Sequence, residues 1–143
     1  MCFADASFLV SALLRDGHGA DAWRCWSSTR AVLAVTRLVL FEAENAIRVA
    51  PYCGKCSAAQ SKSALDGLVR ARLEGLVECR EIPTRRLYPA ARRLSVHHTG
   101  PDVFGAMDIL HVASAQDIGS KQFASFDLPQ RKLAAAAGLI VVP

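Results

Sequence analysis

Gln122-Phe123-Ala124-Ser125-Phe126-Asp127-Leu128-Pro129, running on through Ala134-Ala135-Ala136-Ala137-Gly138 to Leu139-Ile140-Val141-Val142, is the stretch that decides the fold. Residues 122–126 read as a short apolar strand, and Asp127 stands where a helix N-cap belongs. Pro129 falls in the first helical turn, where a missing backbone N–H costs nothing, and Gly138 is a helix stop. The spacing therefore predicts strand 122–126, helix 128–137 and strand 139–142. The last run is apolar at every position, the pattern of a buried parallel strand.

Working back toward the N-terminus, the same alternation recurs. Residues 1–4 form a strand signal, followed by Asp5 and a helical stretch carrying Phe8, Leu9, Leu13 and Leu14; a second helix carries Ala22, Trp23 and Trp26. Residues 31–35 read as a brief strand or buried connection and residues 37–49 as a helix. The clearest helical pattern is 57–78, where Leu65, Leu68, Val69, Leu73, Leu76 and Val77 recur at spacings of three and four, a face expected in the core or against a partner. Ser57 with Gln60 makes a capping box at its start. A strand near 77–82, a helix near 87–96 interrupted by Pro89, and a helix over 105–118 ended by Gly119 complete the chain. Strands alternating with helices predict an α/β class, a three-layer α/β/α domain around a mostly parallel central sheet.

The chain has 143 residues, 52% of them hydrophobic. That is the size of one domain, residues 1–143, able to bury about 70% of its unfolded surface. Its longest uncharged apolar stretch, residues 133–143, is far short of the roughly 18–20 residues that cross a bilayer. Met1-Cys2-Phe3-Ala4-Asp5 lacks the basic start of a secretory signal, so the expected location is the cytoplasm, with no membrane. Five cysteines, an odd number, argue against a disulfide framework. Cys53-Gly54-Lys55-Cys56 has CxxC spacing, but a predicted helix rather than a strand precedes it and two further zinc ligands are missing; an incidental loop pair is the expectation, with redox or zinc chemistry the alternatives.

The net charge of +4 is unevenly spread: between residues 70 and 93 lie seven arginines against three glutamates. A solvated helix face is one reading. A phosphate-binding surface is the other, since the guanidinium fork holds phosphate oxygens and the summed field attracts a polyanion.

Four acids stand out from an ordinary surface. Asp5 and Asp127 each follow a strand and precede a helix, at the carboxyl edge of a parallel sheet where ligands bind; each is also a natural N-cap. Glu42 shares a helix face with Leu38, Asn45, Ala46 and Val49, while Glu44 points about 200° away and is expected in solvent. Asp108 lies in Gly105-Ala106-Met107-Asp108-Ile109-Leu110-His111-Val112-Ala113, too apolar for a free surface. A buried carboxylate needs a cation or hydrogen-bond donors nearby, so a structural hydrogen bond and a functional site both remain open at each position. His111, one turn after Asp108, reads first as a packed or hydrogen-bonded histidine.

The order strand-end Asp, helical Glu, helical Asp, strand-end Asp resembles the PIN-domain nucleases, and the wording around each acid is closest to VapC toxins. It rests on Phe3-Ala4-Asp5-Ala6-Ser7, on Glu42-Ala43-Glu44-Asn45-Ala46-Ile47-Arg48, on His98-Thr99 with Asp108-Ile109-Leu110-His111-Val112-Ala113-Ser114-Ala115, and on residues 123–134. Two positions depart from the pattern: Gly105 stands where the family often has Arg, and Ser125 where it has Thr.

The resemblance implies an endoribonuclease in which Asp5, Glu42, Asp108 and Asp127 bind Mg²⁺ or Mn²⁺, hard cations suited to oxygen ligands, and hydrolyse RNA phosphodiesters. Ser7, Asn45 and Ser125 would orient those carboxylates. Arg85, Arg86, Arg92 and Arg93 would contact RNA. A VapB-like antitoxin and a homodimer are the implied partners. The alternative is a PIN-fold RNA-binding or interaction protein with weak catalysis, for which Gly105 is the sequence support.

Overall fold

The computed structural model describes residues 1–29, 32–100 and 102–143. Five strands form one sheet: β1 (Cys2–Ala4), β2 (Leu33–Val35), β3 (Val77–Cys79), β4 (Gln122–Ala124) and β5 (Ile140–Val142). Their order is β3-β2-β1-β4-β5, and every pair is parallel. The connecting helices are α1 (Ala6–Leu14), α2 (Gly19–Thr29), α3 (Arg37–Val49), α4 (Ala58–Leu73), α5 (Thr84–His98), α6 (Ala106–Asp117) and α7 (Leu128–Ala136). Helices α1 to α4 pack among themselves, as do α5, α6 and α7, giving the two helical layers expected of an α/β/α fold.

The central strands are dry on both faces, as parallel strands flanked by helices must be. Phe3 on β1 stacks on Phe123 of β4 with ring centroids 5.5 Å apart, and Phe8, Leu9, Leu33, Val35, Val112 and Leu133 close the core around them. Burial of each such large side chain contributes about 1.5–3 kcal/mol. The chain leaves β1 toward β2 and β3, then returns to β4 on the other side of β1. The carboxyl ends of β1 and β4 therefore flank the crevice of the sheet, where side chains from distant sequence can meet.

Helix α3 spans residues 37–49 as expected, and α4 begins with the expected capping box, Ser57 and Gln60 each bonding the other's backbone N–H. Other boundaries differ. The predicted helix 57–78 stops at Leu73, because Gly75 takes a left-handed conformation (φ 72°) and turns the chain into β3. Its buried face is Ser61, Ala64, Leu68 and Ala71, while Val69, Leu73 and Leu76 are exposed. Pro89 does not interrupt α5, which starts earlier, at Thr84, and runs through it. The last strand is not buried: β5 is an edge strand with Ile140 exposed. Of the predicted strand 31–35, residue 31 lies outside the described residues and 33–35 form β2. Cys53 and Cys56 lie in the turn between α3 and α4 and both are free thiols. Among the described residues no helix is long and apolar enough to cross a membrane.

Candidate active site

Asp5 ends β1 and begins α1. Its backbone N–H donates to Ala124 O on the neighbouring strand (3.0 Å), level with the Ala4–Ala124 register pair. Its extended backbone makes it the N-cap of α1, and Oδ1 accepts from Phe8 N at 2.8 Å. Two hydroxyls complete the cradle: Ser7 Oγ lies 2.8 and 2.9 Å from the two carboxylate oxygens, and Ser125 Oγ donates to Oδ2 at 2.7 Å. The N-cap reading and the ligand reading thus fall on one side chain. It is fully buried, and burial raises its pKa despite the opposing effects of the Phe8 N–H, Ser125, Ser7 and nearby His111.

The network continues to the last acid. Asp127 N donates to Ser125 Oγ (3.0 Å), and Phe126 N donates to Ser7 Oγ (2.9 Å). Asp127 caps α7 through Gln130 N (2.9 Å). One turn on, Arg131 Nη1 donates to Ser125 O (2.6 Å) and Pro143 O (2.7 Å), tying the end of β4 to the chain beyond β5. Sequence reading missed Arg131; its spacing of four from Asp127 was the available signal.

The helical acids approach from α3 and α6. Glu42 Oε2 meets His111 Nε2 at 2.6 Å, the imidazole being 1% exposed. Glu44 does not stand out in solvent as expected: the two glutamates differ little in side-chain exposure, 29% for Glu42 and 34% for Glu44, and what separates them is the partner, since Glu44 pairs with Arg48 at 2.9 Å. Asp108, three residues before His111 on α6, turns back so that Oδ2 accepts from Gly105 N at 2.9 Å. A Cβ at Gly105 would lie 3.0 Å from that oxygen, so any other residue at 105 would make the carboxylate give by a few tenths of an ångström. Asn45 is exposed and has no side-chain hydrogen bond among the described residues.

Ser125 therefore joins Asp5 to Asp127, while His111 holds Glu42 and influences Asp5. Among the described residues no three Asp, Glu, His or Cys side chains are grouped closely enough to hold a metal ion. The donor chemistry fits a hard cation all the same. Asp5 is buried, raised in pKa and without a Lys or Arg partner; Asp108 and Asp127 likewise form no ion pair among the described residues. Three oxygen-donor side chains lacking counter-charge suit a divalent ion such as Mg²⁺ or Mn²⁺. A cavity of about 330 Å³ is lined by Thr36, Arg37, Leu38, Arg80, Glu81 and Ser114 among others, and by none of these three acids. Leu38 is one turn before Glu42 and Ser114 one turn after His111, so the cavity opens one helical turn away from the Glu42–His111 contact, and neither Glu42 nor His111 lines it.

Of the arginines singled out for RNA, Arg85, Arg92 and Arg93 are exposed on α5, and Arg86 is held by Asp117 through Nε (3.0 Å) and Nη2 (2.5 Å).

A parallel α/β/α sheet with Asp5 and Asp127 linked through Ser125 at the carboxyl ends of β1 and β4 defines the class. The sequence model of the PIN domain matches residues 2–136, and the chain belongs to that family. Among solved structures, the chain is similar to the toxin VapC20 of Mycobacterium tuberculosis, described as sarcin-ricin loop cleaving, with a TM-score of 0.71, 21% identity and full coverage of both chains. No curated protein matches it in sequence.

Proposed function

We propose that this protein is a metal-dependent endoribonuclease, the toxin of a VapBC-type pair, formed by one PIN domain. The observation that carries the reading is Asp5, a buried carboxylate without a Lys or Arg partner at the carboxyl edge of the sheet, linked through Ser125 to Asp127. Family membership and the fold shared with an RNA-cleaving toxin support it.

In this reading Asp5, Glu42, Asp108 and Asp127 hold Mg²⁺ or Mn²⁺. The cation would neutralise the carboxylates and polarise water and phosphate for hydrolysis. Ser7 and Ser125 keep Asp5 oriented, while Asn45 and Asp108, the one unbonded among the described residues and the other turned to its own helix cap, would have to move toward the cation as it binds. The N-termini of α1 and α7, which Asp5 and Asp127 cap, add positive potential for phosphate. Arg85, Arg92 and Arg93, with the anchored Arg86, offer the backbone a basic face. A VapB-like antitoxin, a homodimer and action in the cytoplasm follow from the same reading; the reduced thiols suit that compartment.

A second reading, a PIN-fold RNA-binding protein with weak catalysis, is favoured by Asp108 capping its own helix. Cleavage of RNA by purified protein with and without Mn²⁺, beside Asp108→Asn, separates the two. Mn²⁺-dependent cleavage lost in the variant supports the nuclease. Binding without cleavage supports the second reading, and cleavage indifferent to Asp108→Asn removes the site assignment.

A further inference from the structure

Among the buried polar side chains that the functional reading leaves unassigned, one is an imidazole. His111 is 1% exposed, packs at a tilt to the Phe3 ring with centroids 6.5 Å apart, and spans α6 to α3 through the 2.6 Å contact with Glu42. An ionised carboxylate only accepts hydrogen bonds, so Nε2 carries the proton that bridges the two residues. The other ring nitrogen, Nδ1, is buried and has no partner among the described residues. A buried polar atom left unpaired is costly, and a Leu or Met of similar size would fill the same space without it. The imidazole is therefore not explained as core filling. Asp108 lies three residues earlier on the same helix face, and Asp5 is near enough for His111 to lower its pKa.

We infer that His111 is a positioning residue: its Nε2–H holds the Glu42 carboxylate at the α3–α6 contact, from which it can join Asp5 and Asp108 on a bound cation, and without it Glu42, on a partly exposed helix face, turns to solvent. This rests on the metal-centre reading above. Partners that orient metal-binding carboxylates typically govern affinity by about 10- to 100-fold.

The test is Mn²⁺ binding by the full chain, read from the electron paramagnetic resonance signal of the free ion and independent of RNA cleavage. His111→Gln keeps an N–H donor near the Nε2 position, His111→Asn reaches only the Nδ1 position, and His111→Leu keeps bulk and loses the donor. The expected result is a Kd within about threefold of wild type for Gln and weakened about 10- to 100-fold for Asn and Leu. In a Glu42→Gln background, His111→Leu should weaken binding no further, because the two residues act as one unit. Circular dichroism and thermal unfolding establish that each variant is folded; if Leu is not, the Asn and Gln pair decides. Wild-type affinity in both Asn and Leu overturns the inference, as does equal loss in folded Gln and Asn, or a full additional loss in the Glu42→Gln background. If wild type itself binds no Mn²⁺, the metal-centre reading fails and this inference with it, an outcome distinct from all the others.

Discussion

Ser125 and Asp5, 120 residues apart in sequence, share a 2.7 Å hydrogen bond inside a fully buried site. The same hydroxyl accepts the Asp127 N–H, so one oxygen sets the first and last acids relative to each other. Ser125→Ala strips a donor from a buried carboxylate and an acceptor from a backbone N–H. Unsatisfied buried groups cost about 1–3 kcal/mol, so the midpoint of thermal unfolding should fall by roughly 3–10 °C. RNA cleavage should drop about tenfold or more, the scale of losing a partner that orients a ligand. Ser125→Thr restores the hydroxyl and should recover most of the cleavage rate; equal activity in the Ala variant would remove the positioning role.

Asp5 gives a pH prediction with a definite sign. Burial raises its pKa in the folded state, so on raising the pH the unfolded chain ionises first. Asp5 thus lowers stability at neutral pH, and the penalty vanishes at acid pH where both states are protonated. Asp5→Asn retains an N-cap and removes the buried charge. Its unfolding midpoint in metal-free buffer should exceed that of wild type by a few degrees at pH 7, with the gap closing toward pH 3. Mn²⁺ should raise the wild-type midpoint and leave the variant unmoved. A variant less stable than wild type at pH 7 would contradict the sign.

Gly105 allows a third test. Since a Cβ there would stand 3.0 Å from Asp108 Oδ2, Gly105→Arg should shift that carboxylate slightly, weakening its cap, and add a guanidinium beside Asp108. We expect a KM for RNA several-fold lower and a slightly less stable α6 N-terminus, worth about 0.3–1 kcal/mol. An unchanged KM would show that residue 105 does not face substrate.

How much of this was legible beforehand follows from which interactions are local. Helix starts were readable because their signals are short: Asp5, Ser57 and Asp127 each cap within three residues. The end of α4 was not, because Leu76 and Val77 continue a helical period that Gly75 breaks by its backbone conformation. The apolar run at β5 could not reveal an edge position, since strand order is a property of the whole sheet. Ser7 and Ser125 were placed near the acids by resemblance, and the structure puts both on Asp5. The Glu42–His111 contact joins residues 69 apart, beyond any local pattern, so periodicity alone left His111 as an ordinary core histidine.

Cysteine chemistry offers a probe of the strand that carries the site. Burial pushes the Cys2 thiol up to about 12, far from the ordinary value near 8.5, so almost no thiolate forms in the folded chain at pH 8. Cys53 is exposed in the turn after α3 and should react with iodoacetamide first, with Cys56 next. Labelling of Cys2 then requires that β1 open, and its rate reports that opening rather than intrinsic thiol reactivity. Because Asp5 follows β1 directly, a cation held by Asp5 would stabilise the closed form, and Mn²⁺ should slow Cys2 labelling in proportion to site occupancy while leaving Cys53 unaffected. Mass spectrometry of labelled peptides over time measures both. Rapid Cys2 modification in the folded protein would mean that this strand is far less protected than its burial requires.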